Sequence, residues 1–394
     1  MATAIPPHPP GCRLPDYNGG SIVNLASSIE QCFGGHPCYP ALRAIEPNEL
    51  EKSKSVILLV LDGMGQSFFD RHAGNDLKQR FSRGPVTSVF PSTTAAAMTS
   101  LYTGRAPADH GILAWFTYFK EIGGIATVPP MIHRPSGTPI VKNAAERLID
   151  VQSMFQRVRC NIHAILPKEY KNKPYSTVMT RGASVVGYKS LGDLVRRVTL
   201  IAQRKAGKHL IIAYWPGFDA TCHEQGKESR VAIENGRTAL KIAANLLEAP
   251  WLERAGTTVV ITADHGQVSS PPSRTLRLER HPALHDSLVL PFSGEPRAAF
   301  CYLRHGRDQR FFEALETLPD GCCTPVRSED AIAWGWFGNR DIHPKLRDRT
   351  GDVILLMHEN YTIKDVLLGE ERDELIGYHG GMDEEEMLVP LLIS

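Results

Sequence analysis

Six acids and histidines, spread over four short motifs, have the side-chain types that bind divalent cations. Each motif lies at or near the end of an apolar run, and together they contain Asp62, Asp219, His223, Asp264, His265 and His379. In DATCH the acid and the histidine are four residues apart, which places both on one face of a helical turn. Six ligands of mixed oxygen and nitrogen type suit two zinc ions, with manganese or iron as alternatives.

A two-metal site needs a nucleophile, and the segment SVFPSTTAAAMTSLYTG offers three hydroxyls. The segment is typical of an extended stretch that turns at Pro91 into a helix, with Ser92, Thr93 and Thr94 around the helix N-terminus. Exposed amides there favour an anion, and a metal can hold a hydroxyl oxygen in its ionised form. A plain Ser/Thr helix cap is the alternative interpretation, and chemistry alone does not choose among the three hydroxyls.

The elements that would position these residues alternate along the chain. Apolar, β-rich runs are SVILLVL, HLIIAYW, TTVVIT, AAFCYL, VILLM and MLVPLLI. Helical periodicity marks the stretch that starts at Ser190 and the stretch from about Arg230 to Leu247. This alternation predicts an α/β fold, with a mostly parallel, doubly wound sheet and helices on both faces. In such a sheet the strand-end motifs would meet at the carboxyl edge.

Composition divides the chain into an N-terminal arm, residues 1–50, and a single catalytic domain, residues 51–394. Within that domain, residues from about 114 to 188 are rich in Pro, Gly, Tyr and basic side chains. A structureless loop of that length would be unusual, so we expect an inserted cap over the sheet edge. A second irregular stretch, about 267–297, predicts a second insertion.

Charge and hydropathy limit the partners. The chain has 44 basic and 43 acidic residues, which gives no electrostatic basis for binding nucleic acid or a membrane surface. The N-terminus lacks the charged start and apolar run of a secretory signal, and no apolar stretch approaches the roughly 18 residues of a spanning helix. We therefore expect a small-molecule ligand and a cytoplasmic location.

The motifs Asp62, PSTT, DxxxH, DHG and GxHGG occur in an order that resembles the alkaline phosphatase superfamily. The closer resemblance is to its type I phosphodiesterase/nucleotide pyrophosphatase branch, and it extends from about residue 55 to the end of the chain. It implies an alkaline phosphatase-like core and two zinc ions. By motif match, one ion would be held by Asp219, His223 and His379, and the other by Asp62, Asp264 and His265.

The resemblance also selects the nucleophile. In the branch motif the nucleophilic threonine lies three residues after the proline, which corresponds to Thr94. The implied mechanism is in-line attack by the Thr94 oxygen on a metal-bound phosphorus, which gives a phosphothreonine that water then hydrolyses. Thr94 would thus be both nucleophile and metal ligand.

The sequence departs from the branch around this nucleophile. The branch carries an asparagine 21 residues after the threonine, where this chain has Trp115. Trp115 and Phe116, in WFTYF, are candidates for contact with the substrate, and a buried aromatic cluster is an equally good interpretation. Basic residues available for a further phosphate oxygen are Arg274, Arg277, Arg280 and Arg297, although surface positions are the more ordinary role for such residues.

The resemblance implies a zinc-dependent phosphodiesterase that acts on a small phosphodiester, a pyrophosphate or a nucleotide-like molecule. A phosphonate or phosphomonoester hydrolase of the same superfamily is the alternative enzyme. A catalytically inactive member that binds metal or a phosphorylated ligand is the alternative outside enzymes, although every motif position is intact.

Overall fold

Three of the apolar runs form neighbouring parallel strands at the centre of the protein. The computed structural model describes residues 9, 11–141, 143–370 and 375–394. Its strands are β1 Ser55–Leu61, β2 Ser82–Thr87, β3 Phe116–Phe119, β4 Gly124–Thr127, β5 Ile132–His133, β6 Asn161–Pro167, β7 Ser184–Tyr188, β8 His209–Trp215, β9 Thr257–Thr262, β10 Val268–Ser269, β11 Thr275–Arg277, β12 Ser293–Glu295, β13 Ala298–Cys301, β14 Cys323–Arg327, β15 Val353–Met357, β16 Thr362–Lys364, β17 Gly377–Tyr378 and β18 Leu388–Ile393.

Helices connect most of these strands. They are α1 Ile22–Cys32, α2 Pro47–Glu51, α3 Gln66–His72, α4 Asn75–Phe81, α5 Thr94–Thr103, α6 Pro107–His110, α7 Ala144–Leu148, α8 Pro174–Met179, α9 Leu191–Ala202, α10 Gly217–Gln225, α11 Arg230–Leu247, α12 Trp251–Ala255, α13 Pro282–Asp286, α14 Asp308–Leu315, α15 Ser328–Ala333, α16 Leu346–Thr350 and α17 Glu384–Met387. Among the helices in the described ranges, none combines the length and the apolar character that crossing a bilayer requires.

The main sheet has seven strands in the order β2-β18-β9-β1-β8-β6-β7. The five strands from β9 to β7 are parallel, and β18 and β2 continue the sheet in antiparallel pairs. β1 and β8 are buried at every position, which explains why their sequences are continuous apolar runs rather than alternating ones. The α/β fold class with a mostly parallel sheet is therefore confirmed.

The predicted helices after β7 and before β9 are also present. α9 begins after Ser190, whose hydroxyl oxygen accepts a hydrogen bond from the Asp193 amide at 3.2 Å. α11 spans Arg230–Leu247, and of its periodic apolar residues Leu240 and Leu247 are buried, whereas Ile233 and Ala244 are partly buried. Side-chain capping at Ser190 satisfies one of the free amides of the first helical turn.

Two apolar runs pair in a different sheet from the one expected. The runs AAFCYL and VILLM supply β13 and β15, which belong to a second, antiparallel sheet with the order β14-β15-β13-β12-β3-β4-β5. A strand buried on both faces has the same apolar composition in either sheet. The run itself therefore does not specify the sheet.

The span 114–188, predicted as a cap, contributes to both sheets. Its first part forms β3, β4 and β5 of the second sheet, whereas β6 pairs with both β7 and β8 in the main sheet. The pattern of NIHAILP does not predict β6, because this segment contains polar residues and lies between basic segments. The span 267–297 holds β10, β11, α13 and β12. The division into a catalytic domain and insertions remains a prediction.

The predicted N-terminal arm contains a helix that belongs to the main core. In α1, Ile22, Leu25 and Ile29 are fully buried within the hydrophobic cluster that also contains the main-sheet strands. Residues 1–8 and 10 lie outside the described part of the chain. The rest of the predicted arm, residues 11–50, is thus part of the folded domain.

Candidate active site

The carboxyl ends of three central strands bring the predicted ligands together. β1 pairs with β8 up to Leu61 opposite Trp215, and β9 ends beside them. The amide of Asp62 continues this pairing by donating to the Trp215 carbonyl at 3.0 Å. The residues that follow each strand therefore share one edge, as expected for a parallel sheet.

Asp62, Asp264 and His265 form one buried cluster at this edge. His265 Nε2 lies 3.4 Å from Asp62 Oδ1 and 3.5 Å from Asp264 Oδ2. One ligand atom from each of the three residues lies within 4.8 Å of the others. This is a spacing that a single cation can bridge.

Asp219, His223 and His379 lie next to that cluster. His223 Nε2 is 3.3 Å from one Asp219 carboxylate oxygen, and His379 Nε2 is 3.9 Å from the other. The His379 ring stacks on His265 with a centroid distance of 3.8 Å. As a result His265 also groups with Asp219 and His379. All six predicted ligands meet, and His265 lies between the two sets.

All three histidines are oriented in the same way. In each ring Nδ1 hydrogen-bonds a backbone carbonyl, so that Nε2 is the nitrogen that faces the cluster. Metal-ligating histidines are usually held by such a bond, which fixes the tautomer. The carbonyl partners are Gly377 for His223 (2.7 Å), Gly266 for His265 (2.9 Å) and Ser92 for His379 (3.2 Å).

The carboxylates of Asp62 and Asp264 each keep one oxygen for the cluster. Asp62 Oδ2 accepts from the Tyr214 hydroxyl, and Asp264 Oδ1 accepts from the amides of Gly63 (3.2 Å) and His265 (3.0 Å). Asp62 Oδ1 and Asp264 Oδ2 are buried, and neither has a hydrogen-bond partner among the residues that the structure describes. Buried anionic oxygens that converge on an imidazole nitrogen fit a divalent cation.

The pKa shifts of Asp62 and His379 also favour a divalent cation at this place. Burial, with the neighbouring carboxylate of Asp264, raises the pKa of Asp62 well above its usual range. Burial and the adjacent His265 lower the pKa of His379 well below its usual range. A cation at this place would stabilise the ionised acid and accept the neutral imidazole.

Thr94 is the hydroxyl that faces the cluster. It is the first residue of α5, and its Oγ1 lies 3.0 Å from His265 Nε2. The Ser92 hydroxyl instead donates to the Gly381 carbonyl at 2.8 Å and helps to hold the loop after His379. The geometry therefore distinguishes two hydroxyls that the sequence chemistry left equivalent.

Residues 56–382 match the type I phosphodiesterase/nucleotide pyrophosphatase family. The chain belongs to this family. Membership makes the protein a hydrolase of phosphoric ester or anhydride bonds. The comparison with curated proteins returned no match.

Solved structures share the fold of this phosphodiesterase family member at low sequence identity. Murine ectonucleotide pyrophosphatase/phosphodiesterase 5 is 18% identical, with a TM-score of 0.61 over 86% of this chain and 87% of that one. The human protein of the same name gives the same values. Phosphonoacetate hydrolase from Sinorhizobium meliloti 1021, in complex with phosphonoformate, is 16% identical, with a TM-score of 0.61 over 86% and 89% of the two chains.

Trp115 and Phe116, the predicted substrate contacts of this family member, lie at different depths. The Trp115 residue is 42% exposed, and its amide donates to Glu295 Oε1 at 2.6 Å. Phe116 is half-buried, and the Arg134 guanidinium lies 4.1 Å from its ring centroid. Trp115 thus remains a candidate for substrate contact, and the role of Phe116 stays a prediction.

Two of the arginines considered for phosphate contact are occupied elsewhere. Arg297 is fully buried and donates to the carboxylates of Glu386, at 2.9 Å, and Asp383, at 2.5 Å. Arg274 pairs with Glu359 near the surface. These contacts hold both guanidinium groups on other carboxylates rather than on the ligand cluster beside Thr94.

Sequence reasoning missed three residues of the site. Tyr214 hydrogen-bonds Asp62, and Gln267 hydrogen-bonds Asp219. Both residues lie close to the ligand motifs in the sequence, and that closeness could have identified them. Glu295 comes from β12 in the second sheet. No local pattern in SGEP indicates its place beside the site.

Proposed function

We propose that the protein is a metal-dependent phosphodiesterase or nucleotide pyrophosphatase that cleaves a small phosphodiester or pyrophosphate through a phosphothreonine at Thr94. The observation that carries the proposal is the 3.0 Å separation of Thr94 Oγ1 and His265 Nε2, inside a cluster of buried acids and histidines. A nucleophile within hydrogen-bond distance of metal-type ligands has the arrangement that covalent phosphoryl transfer needs.

The cluster fits two divalent cations, which we propose to be zinc, with manganese or iron as alternatives. When present, they would supply positive charge that lowers the pKa of the attacking hydroxyl and offsets charge on the phosphoryl and leaving oxygens. One ion would be held by Asp219, His223 and His379, and the other by Asp62, Asp264 and His265.

Thr94 would act by forming and then breaking one bond to phosphorus. Its oxygen forms the P–O bond while the bond from phosphorus to the leaving oxygen breaks, which releases an alcohol or a nucleotide fragment. Water then attacks phosphorus, and the Thr94 oxygen leaves. The first turn of α5 leaves the amides of Thr94, Ala95 and Ala96 without acceptors inside the helix, so that they are available to phosphoryl oxygens.

Two proteins of similar fold favour different substrates for this reaction. An inactive threonine-to-alanine variant of murine ectonucleotide pyrophosphatase/phosphodiesterase 5 is known in complex with AMP, which favours a nucleotide-like substrate. The similar phosphonoacetate hydrolase supports a phosphonate hydrolase as the second candidate. We favour a small diester, with no role for nucleic acid or membrane in the reaction, and a cytoplasmic location stays a prediction.

The test compares wild type, Thr94→Ala and Thr94→Ser after loading with zinc. Bis-p-nitrophenyl phosphate and p-nitrophenyl phosphate are the substrates, and acid quenching followed by mass spectrometry detects phosphothreonine. We expect Thr94→Ala to lose activity by about a thousandfold or more, with partial activity in Thr94→Ser. Thr238→Ala, an exposed helical threonine, is the control. Full activity in Thr94→Ala would eliminate the proposed intermediate.

A further inference from the structure

Glu295 brings a fourth carboxylate to the phosphoryl site, although it is not among the metal-type ligands. It ends β12, is 6% exposed, and accepts the Trp115 amide at 2.6 Å. The second sheet thus reaches the active site through this side chain. The type I phosphodiesterase/nucleotide pyrophosphatase branch carries an asparagine at the position of Trp115.

The contacts of Glu295 join both sides of the site. Its carboxylate lies near the side chain of Thr93, the residue directly before the nucleophile, which favours the ionised form. Its aliphatic stem packs on Gly380, the residue after His379, so closely that a Cβ at Gly380 would lie 2.5 Å from the Glu295 Cβ. The carboxylate is therefore next to the N-terminus of α5, where a phosphoryl group would meet Thr94.

The charge of Glu295 affects which phosphate esters the site can bind. Asp62, Asp219 and Asp264 are the carboxylates of the ligand cluster, where bound cations would offset their charge, whereas Glu295 lies outside that set. Arg297, two residues beyond Glu295, is engaged by Glu386 and does not neutralise it. An ionised carboxylate beside the phosphoryl position repels a dianion more strongly than a monoanion. Burial raises the pKa of Glu295 to about 7, so most of this charge is present near pH 8.

We propose that Glu295 is a specificity-determining residue that favours monoanionic phosphodiesters over dianionic phosphomonoesters. The inference rests on the proposed function and deepens it, because it assigns the substrate class to a named side chain. A hydrogen bond from the Trp115 amide holds the carboxylate in place. Specificity then follows from like-charge repulsion rather than from shape.

The first experiment measures kcat/KM near pH 8 for methyl p-nitrophenyl phosphate and p-nitrophenyl phosphate, which share a leaving group and differ by one charge at that pH. Glu295→Gln keeps an oxygen acceptor for the Trp115 amide and removes the negative charge. We expect the preference for diester over monoester to fall by about tenfold or more, through a gain in monoester hydrolysis. Asp109→Asn is the matched control, since Asp109 also accepts a backbone amide, that of Ala106, at 2.9 Å.

The second experiment does not depend on turnover. Calorimetry measures the affinity of zinc-loaded Thr94→Ala, with and without Glu295→Gln, for phenyl phosphate and methyl phenyl phosphate. The titrations use a pH near 8, where the monoester is a dianion because its second pKa is about 6. We expect Glu295→Gln to tighten phenyl phosphate binding by about tenfold and to change diester binding by less than about threefold.

The outcomes separate the two proposals. An unchanged diester preference, or equal losses on both substrates, would overturn the charge-selection role, and so would equal changes in the two affinities. If zinc-loaded wild type hydrolyses neither ester, the proposed function fails, while the binding comparison still decides whether Glu295 discriminates by charge.

Discussion

The side-chain amide of Gln267 donates a hydrogen bond to Asp219 Oδ1, and a second, at 3.3 Å, to the backbone carbonyl of the same residue. Gln267 directly follows the Asp-His-Gly motif, so that one short segment carries two ligands and orients a third. A Cβ at Gly63 would lie 3.0 Å from the Gln267 nitrogen, and one at Gly377 would lie 2.5 Å from its oxygen. The absence of side chains at both glycines lets the amide fit closely.

Gln267→Ala is expected to weaken zinc binding without unfolding the protein. Groups that orient a metal ligand typically contribute a factor of about 10 to 100 in metal affinity. Competition with a chromophoric chelator measures the affinity, and circular dichroism checks the fold. Gln66→Ala is the control, because the Gln66 amide bonds an exposed carboxylate, that of Asp70. Equal zinc affinity in Gln267→Ala and wild type would show that Asp219 needs no such support.

Asp62→Asn should have opposite effects on the metal-free and metal-loaded proteins. Burial and Asp264 raise the pKa of Asp62, so its ionised form destabilises the metal-free fold, and the neutral amide relieves this cost. We expect the metal-free variant to unfold at a higher temperature than metal-free wild type, and the gain on adding zinc to shrink. Wild type should gain about 2.7 kcal/mol when free zinc is 100 times its Kd.

Differential scanning calorimetry with and without a chelator measures both effects. Asp70→Asn, at an exposed acid on α3, is the control. The two-metal interpretation is wrong if wild type unfolds at the same temperature in both conditions.

The sequence predicts that the proposed ligands meet at one edge, because their acids stand at positions that local pattern can identify. Asp62, Asp219 and Asp264 follow buried strands, and parallel strands bring their carboxyl ends to one edge. Thr94 follows from the family motif. What the sequence does not specify is which of the two proposed cations His265 would bind, because that residue lies within reach of both ligand sets.

The second sheet could not be predicted from local patterns. Its strands come from three separate regions of the chain, and β12 joins β3 across almost 180 residues. Pairing at such separation depends on tertiary packing, which a single apolar run does not encode. For the same reason Glu295 has no sequence signal, although its carboxylate lies near Thr93, the residue before the nucleophile.

Gly266→Ala should disrupt the site through backbone contact. A Cβ at Gly266 would lie 1.9 Å from the Glu385 carbonyl oxygen and 2.9 Å from the Gly65 Cα, so that backbone on both sides must shift. We expect a loss of about 3 kcal/mol or more in the free energy of unfolding, measured with urea, together with loss of zinc binding.

Gly192→Ala is the matched control for that change. Gly192 lies in the first turn of α9, and a Cβ there has open space around it. We expect a gain of up to about 1 kcal/mol, since alanine reduces the freedom of the unfolded chain. If both alanine variants prove equally stable, the tight packing at Gly266 is not a constraint on the fold.

A pair of buried histidines at the amino ends of β6 and β8 should make stability fall in mild acid. His209 Nε2 bonds the Ala206 carbonyl at 2.9 Å, which leaves its Nδ1 to accept from His163 Nε2 at 3.3 Å. This arrangement requires neutral rings. Burial and the neighbouring His209 lower the pKa of His163 to about 4, and burial lowers that of His209, with Arg204 and Lys54 nearby as further positive charges.

The sign of the effect follows from proton binding. Between pH 6.5 and about 4 the unfolded chain holds a proton at His163 that the folded chain does not, so that the free energy of unfolding decreases as the pH falls through this window. We expect a loss of about 2 kcal/mol between pH 7 and pH 5, measured by urea unfolding. His163→Leu should flatten this dependence, whereas His36→Gln, at an exposed histidine, should leave it as in wild type. Parallel pH profiles for wild type and His163→Leu would mean that other groups cause the acid sensitivity.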